Sequence, residues 1–319
     1  MKNLITATVA SAAILGSVLI SAASFADEEE RTLRIVMITH AAAGDSFWAP
    51  VKKGAEDAAA LIGADLSYQA PEGGADMVAM NNLIRAATVQ EPDGLVVAVT
   101  DVDALGPSIR AAVDAGIPAV SINLGVGTQE QTGTMFFVGE DLYEAGVISG
   151  KRLKALGGTK AVCFNVIPGN VLLDAICNGL DEGFGSPAEV IPSNWNPADV
   201  AARTRGVLES DPDVDTIVSM STTNAPTIAD TVEEMGLADE VLHSTFNLSE
   251  EVLEDIRDGR ITFTIDQQPY LQGYLPVIAL NLKARYGITF IVDHIGSGPL
   301  VVDASNAADV LEQTKRGYR

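Results

Sequence analysis

The chain has 319 residues, 47% of them hydrophobic, and carries 20 Lys and Arg against 43 Asp and Glu, for a net charge of −23. That apolar content can bury a large core and is enough for two domains, which excludes a chain disordered throughout. The excess negative charge repels nucleic acid and anionic membranes, so no nucleic-acid partner is expected.

Residues 1–30, "MKNLITATVASAAILGSVLISAASFADEEE", begin with one early cation, Lys2, followed by an apolar run from Ile5 to Ile20 and small residues at Ser24 and Ala26. This pattern predicts a signal peptide over 1–26, cleaved after Ala26. The competing reading, a membrane anchor, needs a longer run than this one, and acidic residues follow at once. No Cys follows the run to carry a lipid, and no later stretch is apolar enough to span a bilayer. A soluble, exported protein, without direct membrane insertion, is therefore expected.

From Leu33 onward, short apolar runs alternate with helical patterns. The runs are 33–39, 95–100, 117–123, 160–166, 215–220, 240–246 and 261–265. They are β-branched and continuous, as expected of strands buried on both faces of a parallel sheet. Amphipathic segments such as 46–62, 76–89, 103–115, 141–156, 197–209, 225–235 and 249–258 lie between them. The order predicts an α/β protein with helices on both sheet faces. It also repeats: Gly94 to Asn123 and Val214 to Asn247 both read strand, polar turn, helix, Gly, strand, Asn, which predicts one α/β unit used twice.

In open parallel sheets ligands lie beyond the carboxyl ends of the strands. The residues just past those ends include Thr39, His40, Asp45, Thr100, Asn123, Asn178 or its neighbours, Thr222, Asn224, Asn247 and Gln267. Nearly all are neutral hydrogen-bonding groups, and no Arg or Lys is among them. Such a rim suits a small polyhydroxylated molecule, whose hydroxyls both donate and accept. Asp45 also stands where it can cap the helix that follows. Nucleophile-elbow and phosphate-loop motifs are absent, and "GVGTQE" at 125–130 lacks the third Gly of a dinucleotide fingerprint. His40, His243 and His294 lack metal-ligand spacing, so no metal and no cofactor are expected. Cys163 and Cys177 are the only cysteines; in an exported chain they predict a disulfide, with two buried thiols as the alternative.

The segments "DSFWAPVKKGAEDAA", "EPDGLVVAVTDVDAL", "AGIPAVSIN", "VGEDLYEAG" and "LEDIRDGRITFTIDQQPYLQGY" occur in order between about residues 33 and 290. Together they resemble the periplasmic sugar-binding proteins of the ribose-binding type, the solute receptors of ABC importers. The resemblance implies two similar three-layer α/β/α lobes with parallel sheets, the periplasmic binding protein type 1 fold. Three hinge crossings are implied near 138–140, 266–268 and 295–298. The first lobe would comprise 31–138 with 268–296, and the second 139–267 with 297–319. A monosaccharide or polyol would be held between the lobes, and the closed form, a monomer, presented to an ABC permease in the inner membrane. An exported enzyme, and a ligand-sensing module for a membrane receptor or chemoreceptor, are the alternatives.

Carried over by position, Phe47 and Trp48 match the family's stacking residues of the first lobe, and Trp195 falls where the second lobe contributes a ring. Phe47 shares a helical stripe with Val51, Ala55, Ala58 and Ile62, so part of it is assigned to the core. Trp48, about 100° away, is assigned to the sugar-facing surface opposite Trp195. The chain also departs from the family pattern. Asn123 and Leu124 replace an Asp–Arg pair, Asn178 stands in place of an Arg, and Asn247 in place of an Asp, while Gln267 is kept. An amide donates and accepts where Asp only accepts and Arg only donates. Ribose is therefore disfavoured, and a neutral sugar or polyol of another stereochemistry is expected.

Overall fold

The computed structural model describes residues 31–41, 46–72, 76–167 and 169–319. The expected signal peptide, 1–26, and Asp45 lie outside the described residues. Two six-stranded sheets organise the chain. The first is built from β1 (Arg34–Ile38), β2 (Asp65–Gln69), β3 (Gly94–Ala98), β4 (Ala119–Asn123), β5 (Phe137–Gly139) and β11 (His294–Gly296), in the order β11-β5-β4-β3-β1-β2, all parallel. The second contains β6 (Ala161–Asn165), β7 (Glu189–Pro192), β8 (Thr216–Ser219), β9 (Leu242–Phe246), β10 (Phe263–Asp266) and β12 (Leu300–Asp303). Its order is β12-β10-β9-β8-β6-β7, and β12 alone runs antiparallel to its neighbour.

Eleven helices are described: α1 (Trp48–Ile62), α2 (Met77–Val89), α3 (Val102–Asp114), α4 (Gln129–Thr132), α5 (Leu142–Ala155), α6 (Val171–Phe184), α7 (Pro197–Ser210), α8 (Asn224–Glu234), α9 (Glu250–Arg257), α10 (Pro269–Tyr286) and α11 (Ala307–Lys315). Successive strand residues point to opposite faces, and here both faces are dry. In β1, Ile35 and Met37 pack with α1 and α10, whereas Val36 and Ile38 pack with α2 and α3. In β6, Ala161 and Cys163 meet α5 and α6, and Val162 and Phe164 meet α7 and α8. Burial on both faces is why these strands read as unbroken apolar runs. The two lobes follow directly.

Matching devices recur in each lobe. Both units noted in the sequence leave their second strand through an Asn in the left-handed region, Asn123 as the last residue of β4 at φ 64° and Asn247 just after β9 at φ 69°. Asn tolerates that conformation better than other side chains. Helix pairs also approach through glycine: a Cβ on Gly273 of α10 would lie 1.8 Å from the Val51 carbonyl oxygen of α1, and one on Gly183 of α6 would lie 2.0 Å from that of Val147 on α5. Cys163 and Cys177 form a disulfide joining β6 to α6 within the second lobe's core, with Cα atoms 6.0 Å apart.

The chain passes between the sheets three times: from β5 to α5, from β10 to α10, and from β11 to β12. The crossings meet around Gly298, where an added Cβ would sit 2.8 Å from both Glu140 Oε1 and the Asp266 carbonyl oxygen. Ser297 N donates to the Gly139 carbonyl at 2.9 Å, and Gln268 Nε2 to the Ser297 carbonyl at 2.6 Å. Among the described residues no helix is long and apolar enough to cross a membrane.

Candidate functional site

A cavity of about 340 Å³ lies where loops from the carboxyl ends of strands in both lobes meet. The first lobe supplies Ser46, Phe47 and Pro269. The second supplies an apolar wall of Val166, Ile167, Leu173, Met220 and Leu248, together with the Trp195 ring. Ser221, Thr222, Thr223 and Asn247 bring the hydrogen-bonding rim, and Asp266 and Arg319 close the hinge side. Rings and aliphatic groups alternate here with hydroxyls and amides, a surface that offers both an apolar contact and directional partners.

Local sequence fixes the Trp195 wall. Its side chain is 55% exposed, yet the backbone around it is pinned. Asn194 Oδ1 accepts from Asn196 N at 2.8 Å, and Asn196 in turn caps α7 by accepting from Ala198 N at 3.0 Å. Asn224, buried at the start of α8, donates from Nδ2 to Ser193 Oγ at 3.2 Å and to the Asn194 carbonyl at 3.0 Å. Opposite, Asn165 Oδ1 accepts from Ile167 N at 2.9 Å, while its Nδ2 donates to Asp174 Oδ1 at 2.8 Å. This ties the strand end to α6, which carries Leu173.

The expected ligand residues separate into groups. Phe47, Trp195, Thr222 and Asn247 line the cavity. Gln267 stands behind Asn247, donating from Nε2 to Asn247 Oδ1 at 2.9 Å; its own Oε1 is buried without a partner among the described residues. Asn224 is a scaffold for the Trp195 loop, as above. Asn123 ends β4, buried, and is not among the described residues lining the cavity. His40 follows β1 with its ring edge-on to Trp48, centroids 4.8 Å apart.

Trp48 and Asn178, like His40, Asn123, Asn224 and Gln267, are not among the described residues lining the cavity, contrary to expectation. Trp48 is buried in the first lobe's core at 3% exposure, and it is Phe47 that faces the cavity. The offsets explain this: Val51, Ala55 and Ala58 lie 3, 7 and 10 residues beyond Trp48, which puts Trp48 on the core stripe as well. Phe47 precedes the first residue of α1. The Trp48 ring backs that of Phe47 edge-on at 5.3 Å. Asn178 is exposed on α6 and does not reach the lining. It follows Leu173 by five residues, roughly 140° around the helix, so the two cannot face the same way.

Sequence reasoning missed the charged end of the site. Arg319 lines the cavity and bonds to Asp266, although no cation was expected there. Asp266 is 1% exposed; burial pushes its carboxyl up, against the pull of Arg319. Glu140, nearby in the hinge, is buried with both carboxyl oxygens lacking a partner among the described residues. Burial, reinforced by Asp266 and Asp141, pushes it up to about 8. Arg319 stands at the far end of the chain from the motifs, and only folding brings it to the cleft. His243 is not part of the site: it is buried in β9 with Nε2 3.0 Å from Ser219 Oγ, and burial lowers its pKa to about 3.

A sequence profile described as periplasmic binding protein domain matches residues 35–286. The xylose/arabinose-binding protein XylF of Sulfolobus acidocaldarius is 26% identical over 300 residues, spanning 89% of this chain and 74% of that protein. A carbohydrate transporter from Acidothermus cellulolyticus 11B, solved in complex with myo-inositol, is 32% identical with a TM-score of 0.78, over 91% of this chain and all of that one. AraP, an arabinose-binding protein from Geobacillus stearothermophilus, shares the fold at TM-score 0.73 and 21% identity, over 88% of this chain and 99% of its own. The family profile alone covers most of the chain, with residues of both sheets inside the matched span: the chain belongs to the periplasmic binding protein domain family.

Proposed function

We propose that this chain is an exported solute-binding protein that captures a neutral monosaccharide or cyclic polyol between its lobes and delivers it, as a monomer, to an ABC import permease. One observation carries the reading: the Phe47 and Trp195 rings come from opposite lobes onto one cavity whose rim is hydroxyl and amide groups. A sugar ring has apolar C–H faces that stack on aromatics and edge hydroxyls that need donors and acceptors. The names of the relatives agree, one being a xylose/arabinose-binding protein and another a carbohydrate transporter holding myo-inositol. Residues 1–26 supply the export signal in this reading, and ligand is released unchanged. Closure about the three crossings is the switching step.

A thermal-shift screen against neutral aldoses, ketoses and inositols tests the reading, because a ligand bound only by the native state raises the melting temperature. At least one neutral sugar or polyol should raise it in a concentration-dependent way. A response confined to amino acids or inorganic anions refutes the reading.

A further inference from the structure

Past α11 the chain turns back across the hinge onto the first lobe. Gly317 N and Tyr318 N still bond to the helix end, at Thr314 O and Gln313 O. The Tyr318 ring then packs edge-on against Tyr270 of α10, centroids 5.3 Å apart, with Lys53 Nζ of α1 4.7 Å from its centroid. That seat is itself ordered: Tyr270 Oη donates to Asp57 Oδ2 at 2.9 Å, and Lys53 pairs with the same carboxylate at 3.1 Å. One residue later Arg319 turns into the cleft, donates from Nη1 to Asp266 Oδ2 and lines the cavity.

Arg319 is the one cation lining the cavity among the described residues. A guanidinium carries five N–H donors in a planar fork and no acceptor. One nitrogen is held by Asp266, and no other protein acceptor for this side chain occurs among the described residues. We propose that Arg319 is a specificity-determining ligand contact, fixed by Asp266 and by the seating of Tyr318, whose remaining N–H groups donate to two adjacent hydroxyl oxygens of the bound polyol. Asp266 balances the charge of Arg319 locally, and the chain as a whole carries −23, so the site selects a neutral diol over a carboxylate. This rests on the sugar-binding reading above.

The test is calorimetric titration of wild type, R319A, R319K and Y318A with myo-inositol, D-xylose and D-arabinose, with the mono-deoxy analogues of whichever binds, and with D-glucuronate. R319A should bind the parent polyol about tenfold or more weakly, as expected for losing charge-assisted hydrogen bonds. R319K should lose nearly as much, because an ammonium is not a fork. Y318A, which keeps the guanidinium but removes its seat, should lose less. Each deoxy analogue lacking an oxygen read by Arg319 should bind wild type weakly yet lose nothing further in R319A. Unchanged affinities in R319A, or an equal loss for every ligand including all deoxy analogues, overturn the inference and leave the sugar reading standing. Tighter binding of glucuronate than of any neutral ligand, abolished in R319A, also overturns it. If wild type binds no sugar or polyol, both fail together.

Discussion

Trp48 and Trp195 are the only tryptophans of the chain, and their surroundings are opposite: one is buried in the first lobe's core, the other faces the cavity. A change in tryptophan emission on ligand binding should therefore come from Trp195. W195F should abolish it and W48F should keep it; a response that survives W195F would assign the signal to the core ring. Glu140 gives a second expectation. Its carboxyl ordinarily ionises near 4.5 but is held protonated to about 8 in the folded state. Between those values the unfolded chain releases a proton that the folded chain retains, so stability falls as pH rises from about 4.5 to about 8 and levels off above. E140Q should flatten the melting-temperature profile over that window, and an unchanged slope would contradict the role given to burial. Part of the site was legible at this scale. Asn247 follows the end of β9 directly and Thr222 lies three residues past the end of β8, and Trp195 fell where the family pattern places a ring. The Phe47 and Trp48 assignment was inverted because both lie within reach of one stripe and periodicity cannot say where the helix begins. Arg319 carried no signal, since its place depends on the tail crossing back between lobes.

The helix pairs α1–α10 and α5–α6 are joined through glycines whose missing side chains let backbones touch. G273A places a methyl 1.8 Å from a carbonyl oxygen and should destabilise by about 2 kcal/mol or more, read by denaturant unfolding. G206A is the contrast: Gly206 is exposed within α7, and nothing lies within 4 Å of its added Cβ. It should stabilise by about 0.5–1 kcal/mol, as expected for Gly to Ala in a helix interior. Equal effects would contradict the close-packing account. The disulfide closes a separation of 14 residues, and replacing both cysteines by Ala should cost about 3 kcal/mol in the chain-entropy picture. The central strands were readable because burial on both faces makes them continuous and β-branched. The edge strands β2 and β7 were not, since "DLSYQ" and "EVIP" are partly exposed and form no continuous buried apolar run. α10 also lacked a signal: "YLPVIALNL" is apolar around most of the helix, so it presents no single stripe.

At the scale of the whole molecule, the internal repeat is the most informative feature of the sequence. Two units ending on Asn123 and Asn247 predict two equivalent lobes, and equivalent lobes facing each other make a cleft. What the repeat cannot show is how the halves are joined, because the hinge is made by short strands, β5 and β11, and by isolated residues such as Ser297 and Gly298. The cleft is also unequal: the second lobe supplies most of the described lining and the first supplies the Phe47 ring. A ligand held between such walls should leave its affinity mainly to the second lobe and its trapping to the first. The most direct test is calorimetric titration of the intact protein with neutral sugars and inositols, alongside amino acids and inorganic phosphate. Saturable binding of one neutral sugar or polyol per chain, weakened by more than about 1 kcal/mol in W195A as a stacking ring requires, is the predicted result. Saturable binding of an amino acid or phosphate with none of any sugar or polyol, or sugar binding indifferent to W195A, would contradict it.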